Sequence, residues 1–336
     1  MTPRVLITGG QGLVGKVLAI RLAAHGLTVR VSTRQKPAKT DPRIECVQTT
    51  DLNSKTDWCS ALQLIDTVVH CAARVHLMRD TEADPLTAFR TVNVDGTLNL
   101  ARQAAALGLK RFVFMSSVKV NGEQTNLGQP FTEADTPSPQ DAYAMSKYEA
   151  EQGLRQIAAD TGMEVVIIRP PLVYGPGVKA NFAALLKAVQ RGWPLPLGAV
   201  PNQRSLVALD NLVDFIVTCV SHPQAANQTF LVSDGQDLST TDLVKGLAKA
   251  AGMSERLLPI PVWALRVGAS LMGKSDAVQR LCGNLQVDIS KARTLLGWVP
   301  PFSVAQGLDR VINGPGPQRS ECNSDGATPR DEAVGP

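Results

Sequence analysis

The sequence predicts an α/β fold in which a doubly wound parallel sheet is joined to a smaller, mixed α/β C-terminal part. A short apolar strand, Val5 to Ile7, leads into glycines at positions 9, 12 and 15. Apolar residues then return at helical spacing from Lys16 to Ala24. Apolar runs of strand length continue to alternate with helical segments, and such alternation implies parallel strands with right-handed crossovers.

The composition is that of a soluble enzyme. The chain has 336 residues, 44% hydrophobic and 19% charged, enough for one large domain and a smaller one. Its formal net charge of +4 is spread without a basic run, which disfavours a nucleic-acid partner. The six cysteines show no metal-site spacing, so we expect no metal and reduced thiols.

The longest apolar candidate, 261–273, contains Arg266 and is shorter than the roughly eighteen residues that a membrane span needs, so no span is expected. We interpret this segment as a buried helix, although it could cover a substrate pocket or lean on a membrane surface. The first strand begins by Arg4 and leaves no room for a signal peptide, which predicts a cytoplasmic protein.

The glycine turn after the first strand is typical of a dinucleotide-binding site. Glycines at 9, 12 and 15 can provide a tight turn, backbone approach to a pyrophosphate and close helix–strand packing. The helix entered through Leu13 and Val14 offers free N–H groups and the positive end of its dipole to the phosphates. A nicotinamide dinucleotide is therefore expected, with an unliganded tight turn as the alternative.

The end of the second strand, Thr28 to Ser32, bears on which dinucleotide is bound. An acidic residue here would suit the ribose hydroxyls of NAD, but this chain has Thr33 and Arg34, with Lys36 close by. A small hydroxyl and a guanidinium suit a 2′-phosphate, so NADP(H) is favoured and NAD(H) is the alternative. If Arg34 is only a solvated loop charge, the preference disappears.

Four more strands are predicted before residue 171. Asp51 and Leu52 follow the third strand, 44–48, where they could reach an adenine ring. The fourth strand, 67–73, ends in small residues including Ala72, which let the backbone approach the cofactor. The chain then continues with a helix over 85–107, a fifth strand over 111–115, Ser116 and Ser117, a loop over 120–141, a helix from Ala142, a sixth strand over 165–168 and a rigid loop over 169–177.

Ligands of a doubly wound sheet bind beyond the carboxyl ends of its strands. One cleft is therefore expected to collect the residues at those ends, namely Gly9, Thr33, Ala72, Ser117 and Arg169. His70 and His76 have no partner at metal spacing, and His70 is interpreted as a strand residue with a local hydrogen bond.

The predicted domain organisation has three parts. Residues 1–171 form a dinucleotide-binding Rossmann domain, residues 172–312 form mainly a substrate domain, and residues 313–336 form a disordered tail. Two further short strands are expected over 205–208 and 229–232. The strand over 205–208 and the helix after it are predicted to return to the first domain.

Tyr143 and Lys147 carry the predicted chemistry. They stand four residues apart on a helix, so the phenol and the ammonium share a face. A free phenol has a pKa of about 10, and a neighbouring positive charge is expected to lower it. Ser117 could hydrogen-bond both the phenol and a substrate oxygen. Such a site exchanges a proton with an alcohol or ketone while a cofactor exchanges a hydride.

The chain resembles the extended short-chain dehydrogenases/reductases of the nucleotide-sugar epimerase/dehydratase kind. The resemblance covers roughly residues 4 to 300 in family order. The motifs that carry it are Thr8-Gly-Gly-Gln-Gly-Leu-Val-Gly15, Asp51-Leu52, His70-Cys-Ala-Ala73, Asn93-Val-Asp-Gly-Thr97, Ser116-Ser117, Tyr143 to Lys147, Arg169-Pro170, Val173-Tyr-Gly-Pro176 and Leu296-Gly-Trp298.

The resemblance implies roles for individual residues. Ser117, Tyr143 and Lys147 would form the catalytic triad, with Lys147 also holding the nicotinamide ribose. Ala73, Asn93, Ser116 and Pro170 would lie against the cofactor. The substrate contacts implied are Arg74, Ser117, Val118, Asn181, Asn202 and Arg204, with Asn202, Arg204 and Asp210 near the diphosphate of a UDP-sugar. By the same resemblance, the helices over 83–107 and 143–161 would pair two subunits into a homodimer.

Several departures from the family patterns bear on which family member this is. Val118 and Lys119 replace the acidic pair of the dehydratases, which disfavours dehydration. Thr33-Arg34 and Asn121 differ from the acidic residue and the tyrosine that epimerases carry, and the segment 281–285 lacks their second arginine. The local sequences Ala73-Arg-Val-His76, 117–122 and 290–293 are similar to those of bacterial reductases of surface polysaccharide synthesis.

The sequence therefore predicts an NADPH-dependent enzyme that reduces the C4 ketone of a UDP-4-keto-6-deoxy-N-acetylhexosamine during O-antigen precursor synthesis. A UDP-hexose or UDP-N-acetylhexosamine 4-epimerase with tightly bound NAD is the alternative. A non-catalytic NADP-sensing protein is a third hypothesis, disfavoured because both Tyr143 and Lys147 are present.

Overall fold

The computed structural model describes residues 3–35, 41–75, 84–178, 180–273 and 275–314, without the side chains of 180, 181, 276 and 277. Lys36, His76 and the predicted tail beyond residue 314 lie outside this part, as does the side chain of Asn181.

Seven parallel strands form the central sheet in the order β3-β2-β1-β4-β5-β6-β9, which confirms the predicted fold class. The chain starts in the middle of the sheet and runs outward twice, so the strand order reverses between β1 and β4. The strands are β1 (Arg4–Thr8), β2 (Thr28–Thr33), β3 (Ile44–Gln48), β4 (Thr67–His70), β5 (Arg111–Met115), β6 (Glu164–Arg169), β7 (Leu172–Tyr174), β8 (Leu206–Ala208) and β9 (Thr229–Leu231).

Helices cover both faces of this sheet. Val5 and Ile7 of β1 belong to one apolar cluster and Leu6 to another, as expected for a strand whose side chains alternate between two buried faces. The helices of the described residues are α1 (Leu13–Ala24), α2 (Cys59–Leu62), α3 (Pro85–Arg90), α4 (Thr97–Ala106), α5 (Ala142–Thr161), α6 (Ala180–Gln190), α7 (Leu209–Ser221), α8 (Thr240–Ala250), α9 (Val262–Leu271), α10 (Ser275–Cys282), α11 (Ser290–Leu296) and α12 (Val304–Asn313).

The two faces have separate cores. Helices α1, α7 and α11 pack on the face that carries Val5 and Ile7. Helices α4 and α5 pack on the face that carries Leu6. Both cores pack against β1. The glycine turn at the carboxyl end of β1 is therefore held between two layers of buried side chains.

A third core belongs to the C-terminal half, between α6, α8, α12 and the short sheet of β7 and β8. The strand predicted over 205–208 therefore does not join the seven-stranded sheet; it pairs with β7, in a segment expected to be a loop. Val207 of β8 packs into the core of the first face, whereas Leu206 and Ala208 pack into the third core. It is β9 that returns to the main sheet, beside β6. The division at residue 171 stays a prediction.

The helix predicted over 85–107 is interrupted. A π-helical turn, Thr91–Gly96, separates α3 from α4. Asn93 lies in this turn and is buried. Such turns are uncommon and often occur at functional sites. Gly96, the last residue of this turn, lies close to Leu52, whose backbone is 3.0 Å from an ideal Cβ at Gly96.

Helix α9 is more exposed than expected for a buried helix. Trp263, Val267 and Leu271, spaced four residues apart, are 70%, 55% and 85% exposed. Ala269 is the one fully buried residue of this helix. The interpretation of 261–273 as a buried helix is therefore wrong. Across the described residues, no helix combines the length and the apolar character needed to cross a membrane.

Candidate active site

The glycine turn has the close contacts that a dinucleotide cradle requires. Gly9 has a φ of +70°, and an ideal Cβ there would lie 2.8 Å from the backbone nitrogen of Ala72. A Cβ at Gly15 would collide with the carbonyl oxygen of Gly9. The amide of Gly12 donates to that same oxygen at 2.8 Å, and α1 starts at Leu13 with its first N–H groups unpaired within the helix. The residues present therefore fit the pyrophosphate of a dinucleotide.

The adenosine end of this cradle lies at the carboxyl ends of β2 and β3. The hydroxyl of Thr33 is buried and has no hydrogen-bond partner among the described residues. Arg34 forms an ion pair with Asp51 at 3.4 Å, and both side chains are nearly four-fifths exposed. The cation proposed for a 2′-phosphate and the carboxylate proposed for adenine thus lie side by side on the surface.

The segment after β4 is held by Asn93. Its side-chain oxygen accepts the amide of Arg74 at 2.8 Å, and its nitrogen donates to the Arg74 carbonyl and to the hydroxyl of Ser146. Asn93, predicted as a cofactor contact, therefore acts on the backbone that lines the cofactor cleft. The amide of Ala72 donates to the Thr8 hydroxyl at 3.3 Å, which closes the same loop onto β1.

Tyr143 and Lys147 lie in the first two turns of α5, whose N-terminus is capped by Asp141. The ammonium of Lys147 is buried, donates to the carbonyl of Met115 at 2.8 Å and lies 4.6 Å from the ring centroid of Phe114. Ser117 follows β5, and its hydroxyl lies close enough to the phenol to lower the phenol pKa. The three predicted triad residues thus meet at the carboxyl edge of the sheet.

The acidity of the phenol differs from the prediction. Burial raises the pKa of Tyr143 to about 12, the charge of Asp141 adds to this effect, and the Ser117 hydroxyl opposes it. Burial also lowers the pKa of Lys147 to about 8. The expected lowering of the phenol pKa is therefore wrong for the protein alone, because burial and the charge of Asp141 outweigh the opposing effect of the Ser117 hydroxyl.

A buried ion pair supports the site from below. Glu151 accepts from the Arg169 Nε at 2.9 Å and from its Nη2 at 2.5 Å, and the Ser116 hydroxyl donates to the same carboxylate at 2.5 Å. Arg169 also donates to Asn121 at 2.9 Å. Arg169 is expected in the cleft and Ser116 at the cofactor. In the structure the side chains of both bind Glu151. Sequence reasoning missed Glu151, whose only signal is its position one turn after Lys147.

On one side of the phenol, Phe89 of α3 lies edge-on to the Tyr143 ring, with centroids 6.0 Å apart. The guanidinium of Arg74 lies 5.6 Å from the centroid of Phe89. Arg74, predicted as a substrate contact, is thereby close to the triad. Val118 and Pro170 are joined by a backbone hydrogen bond of 3.0 Å, which fixes the loop after Ser117 to the loop after β6.

The residues predicted to contact the diphosphate have different roles in the structure. The side chain of Asn202 donates to the carbonyls of Leu281 and Gly283 and accepts the amide of Thr240 at 2.8 Å. It therefore anchors backbone. Arg204 is half-buried and donates to the carbonyl of Gly283 at 3.1 Å, and in the described part of the chain it has no carboxylate partner. Burial lowers its pKa, so Arg204 is a desolvated cation suited to an anionic ligand.

Asp210, the third residue expected near the diphosphate, pairs with Arg310 at 2.8 Å, and its second oxygen lies 3.8 Å from Arg21 of α1. Its carboxylate thus ties the start of α7 to α12 and α1, and we assign it no ligand contact.

Comparison with known proteins decides the family. Residues 5–233 match the model of the NAD dependent epimerase/dehydratase family. The chain belongs to this family. A UDP-glucose 4-epimerase of Vibrio cholerae is 50% identical over 313 residues, which cover 93% of this chain and 95% of that protein. An N-acetyl-α-D-glucosaminyl-diphospho-ditrans,octacis-undecaprenol 4-epimerase of Escherichia coli O157:H7 is 29% identical over 93% of this chain and 95% of the relative.

Solved structures of the family share the fold. The UDP-N-acetylglucosamine 4-epimerase from Bacillus cereus superposes with a TM-score of 0.76 at 19% identity, over 93% of this chain and 99% of that one. The UDP-glucuronic acid 4-epimerase from Bacillus cereus in complex with NAD superposes with a TM-score of 0.74 at 22% identity, over 93% and 96% of the two chains. RMD from Pseudomonas aeruginosa complexed with NADPH gives 0.70 at 23% identity, over 93% and 99%.

The predicted reductase activity is contradicted by these relatives. The Vibrio cholerae protein is named an epimerase and shares half of its residues with this chain over nearly the full length of both. The departures that suggested a reductase, such as Arg34 and Asn121, leave the triad untouched. The family match identifies an NAD(P)-dependent enzyme, and because one of the compared structures holds NAD and another NADPH, it does not fix the form of the cofactor.

Proposed function

We propose that the protein is a UDP-sugar 4-epimerase that works through Ser117, Tyr143 and Lys147. The observation that carries the proposal is the meeting of phenol, hydroxyl and ammonium beside the glycine turn, at the strand ends where a dinucleotide fits. The 50% identical UDP-glucose 4-epimerase supports the same reaction.

The roles follow from the geometry. When bound, the dinucleotide supplies an acceptor for the C4 hydride that can return it to the other face of the sugar. Tyr143 takes the proton of the C4 hydroxyl and later gives it back, so the net reaction is inversion without oxidation. Ser117 hydrogen-bonds the sugar oxygen and the phenol. Lys147 keeps a positive charge one helical turn away, because its pKa of about 8 leaves it protonated at neutral pH.

The proposed substrate class is UDP-hexoses, with or without an N-acetyl group. Arg204 supports a diphosphate because a desolvated guanidinium binds phosphate oxygens in pairs. Arg74 and Val118 would contact the sugar, since they lie on the loops beside Tyr143 and Ser117. Asn181, on α6, is proposed as a further contact from the C-terminal half.

For the cofactor we propose NADP(H), with NAD(H) as the alternative. The unpaired hydroxyl of Thr33 and the exposed guanidinium of Arg34 at the end of β2 support a 2′-phosphate. Asp51 competes for Arg34, but an exposed pair of this kind is worth only about 0–1 kcal/mol and yields easily to a phosphate.

We also propose a homodimer in which α4 and α5 of two subunits form a four-helix bundle. The two helices already pack tightly within one subunit, since an ideal Cβ at Gly153 would meet the side chain of Leu98 at 2.6 Å. This pairing gives a second copy a two-helix surface to dock against. Sedimentation or light scattering of the purified protein measures the state.

The test of the function is incubation of the purified protein with UDP-glucose, UDP-galactose and their N-acetyl counterparts, followed by NMR of the products. We expect C4 inversion without added reductant and without net consumption of NADPH. The dinucleotide released on denaturation identifies the cofactor. Tyr143→Phe should reduce turnover by about 10²-fold or more while the protein keeps its dinucleotide. Wild-type protein that carries a dinucleotide and inverts none of these sugars would overturn the proposal.

A further inference from the structure

An ion pair joins the two elements that carry the reactive hydroxyls. Ser117 is followed by a single turn of 3₁₀ helix, Val118–Val120, while Tyr143 lies at the start of α5. From the middle of that turn, the ammonium of Lys119 reaches Asp141 at 2.5 Å and Glu123 at 3.1 Å. Sequence reasoning used Lys119 only to argue against dehydration.

Lys119 touches both sides of the proton-transfer site. Its backbone amide donates to the Ser117 hydroxyl oxygen at 3.2 Å. Its ammonium binds one oxygen of Asp141, whose other oxygen caps α5 by accepting the amide of Ala144 at 2.7 Å. The turn that carries Ser117 and the helix that carries Tyr143 are therefore tied through one residue.

We propose that Lys119 is a positioning residue of the proton-transfer site, which fixes Ser117 against Tyr143 and offsets the negative charge of Asp141 beside the phenol. The inference rests on the proposed epimerase function for its consequence in catalysis. The contact itself does not depend on which sugar is bound. Asp141 stands two residues before Tyr143, so its charge acts on the phenol at short range.

The other groups around the phenol in the described part of the chain come from several elements. Ser117 faces it from the end of β5, and Lys147 lies one turn along α5. Phe89 packs against the ring from α3, with Arg74 behind it. Among the groups that shift its pKa, Asp141 is the one charged residue, and it acts in the same direction as burial. A cation that neutralises Asp141 therefore favours the ionised phenol.

Variants of this pair should fold normally. The side chains of Lys119 and Asp141 are 35% and 31% exposed, and an ion pair of this exposure contributes little to stability. Asparagine caps a helix as well as aspartate does, so Asp141→Asn removes the charge and keeps the cap of α5. Lys119→Met removes the charge and keeps most of the length of the side chain.

The experiment titrates the Tyr143 phenol by its ultraviolet absorbance in the purified, cofactor-containing protein, with Tyr143→Phe subtracted to remove the other tyrosines. Lys119→Met should raise the phenol pKa, and Asp141→Asn should lower it, each by about half to one unit, less than the 1–3 units of a charge in direct contact. Lys119→Arg should restore the wild-type value. Lys249→Met, which removes an exposed lysine of α8, serves as the matched control.

The double variant, Lys119→Met with Asp141→Asn, should titrate close to the wild type, because it removes two opposite charges whose effects on the phenol nearly cancel. The acid limb of the pH–rate profile should move in the same direction as each titration, to higher pH for Lys119→Met. A merely structural role would lower activity in both single variants without moving the pKa in opposite directions.

The outcomes separate this inference from the proposed function. Opposite shifts of the phenol pKa support the role of Lys119 even if every UDP-sugar tested is left unchanged, which would instead count against the epimerase. Unshifted titrations and an unmoved pH–rate profile in a protein that epimerises UDP-sugars would overturn the role of Lys119.

Discussion

At the scale of single residues, burial of a polar group determines its protonation state, which its sequence neighbours do not reveal. His70 is fully buried at the end of β4, where its Nδ1 and Nε2 lie 2.7 Å and 2.9 Å from the hydroxyls of Thr8 and Thr97. The interpretation of His70 as a strand residue is confirmed, but its hydrogen bonds reach Thr8 of β1 and Thr97 of α4 and are therefore not local in sequence. Burial, with the charge of Lys147, lowers the pKa of His70 to about 3. The imidazole is therefore neutral in the folded protein throughout the physiological pH range.

This burial predicts acid sensitivity. The unfolded chain binds a proton at His70 near its free pKa of 6.5, whereas the folded protein does so only near 3. Stability contributed by the neutral form is present above pH 6.5 and is lost as pH falls toward 3. Between about pH 7.5 and about pH 5, His70 should account for a loss of about 2 kcal/mol of unfolding free energy.

Urea unfolding of wild type and of His70→Asn at both pH values measures this loss. The variant should start less stable, because it loses a ring that bridges two hydroxyls, and its stability should fall less on acidification. His25→Asn, at the exposed C-terminal end of α1, is the matched control. Equal pH dependence of all three proteins would show that His70 is not the acid-sensitive group.

The site could be predicted from the sequence where a residue type and its spacing are both informative. The glycines and the pair Tyr143 and Lys147 belong to that class, and the structure brings them together. Glu151 could not be found, because a glutamate in an amphipathic helix carries no sign that it will be buried against Arg169. The sequence also could not show that desolvation would dominate the acidity of Tyr143, since burial depends on contacts from α3 and β5.

At the scale of elements, the order of strands and helices in the first half was predictable because its apolar runs are separated by clear turns. The exceptions have physical causes. The π-helical turn Thr91–Gly96 has an ordinary helical sequence, which carries no sign that Asn93 will bond Ser146 of α5. β7 has only three residues, too few for a periodic pattern, and exists because β8 pairs with it. The apolar composition of α9 predicts a buried helix, yet Trp263 and Leu271 are exposed.

The glycine turn gives the prediction that belongs to this scale. Gly15→Ala would place a Cβ against the backbone carbonyl of Gly9, which cannot move without shifting α1 away from β1. We expect a loss of about 1–3 kcal/mol in unfolding free energy and protein that is purified without its dinucleotide. Gly268→Ala is the matched control, because no atom lies within 4 Å of its ideal Cβ and it sits inside α9.

For Gly268→Ala we expect a neutral effect or a gain of about 0.5–1 kcal/mol, since alanine restricts the unfolded chain. Thermal unfolding and the absorbance of released dinucleotide measure both variants. Retention of a full complement of dinucleotide by Gly15→Ala would contradict the assignment of this turn as the cofactor cradle.

At the scale of the whole molecule, two halves with separate cores meet along β8. The strand gives Val207 to the core of the main sheet and Leu206 and Ala208 to the core of the C-terminal half. Arg204 stands two residues before it, where backbone bridges connect it with Leu238 and Leu285. A desolvated guanidinium at such a junction costs stability in the protein alone and gains a partner when an anionic ligand joins the two halves.

This position predicts opposite effects of Arg204→Met on stability and on binding. The ligand-free variant should unfold at an equal or higher temperature, because a half-buried charge is replaced by an apolar side chain of similar length. Its affinity for UDP should fall about ten- to a hundredfold, the loss expected for charge-assisted hydrogen bonds to phosphate. The rise in unfolding temperature that UDP gives the wild type should shrink accordingly.

Arg256→Met is the matched control for this test. Arg256 also donates from Nη1 to a glycine carbonyl, that of Gly192 at 3.3 Å, but its side chain is exposed. Both variants are measured by thermal shift and by calorimetric titration with UDP. The comparison separates the effect of removing any arginine from the specific effect of removing Arg204. Equal affinity of the wild type, Arg204→Met and Arg256→Met for UDP would show that the diphosphate is held elsewhere. The C-terminal half would then contact the sugar alone.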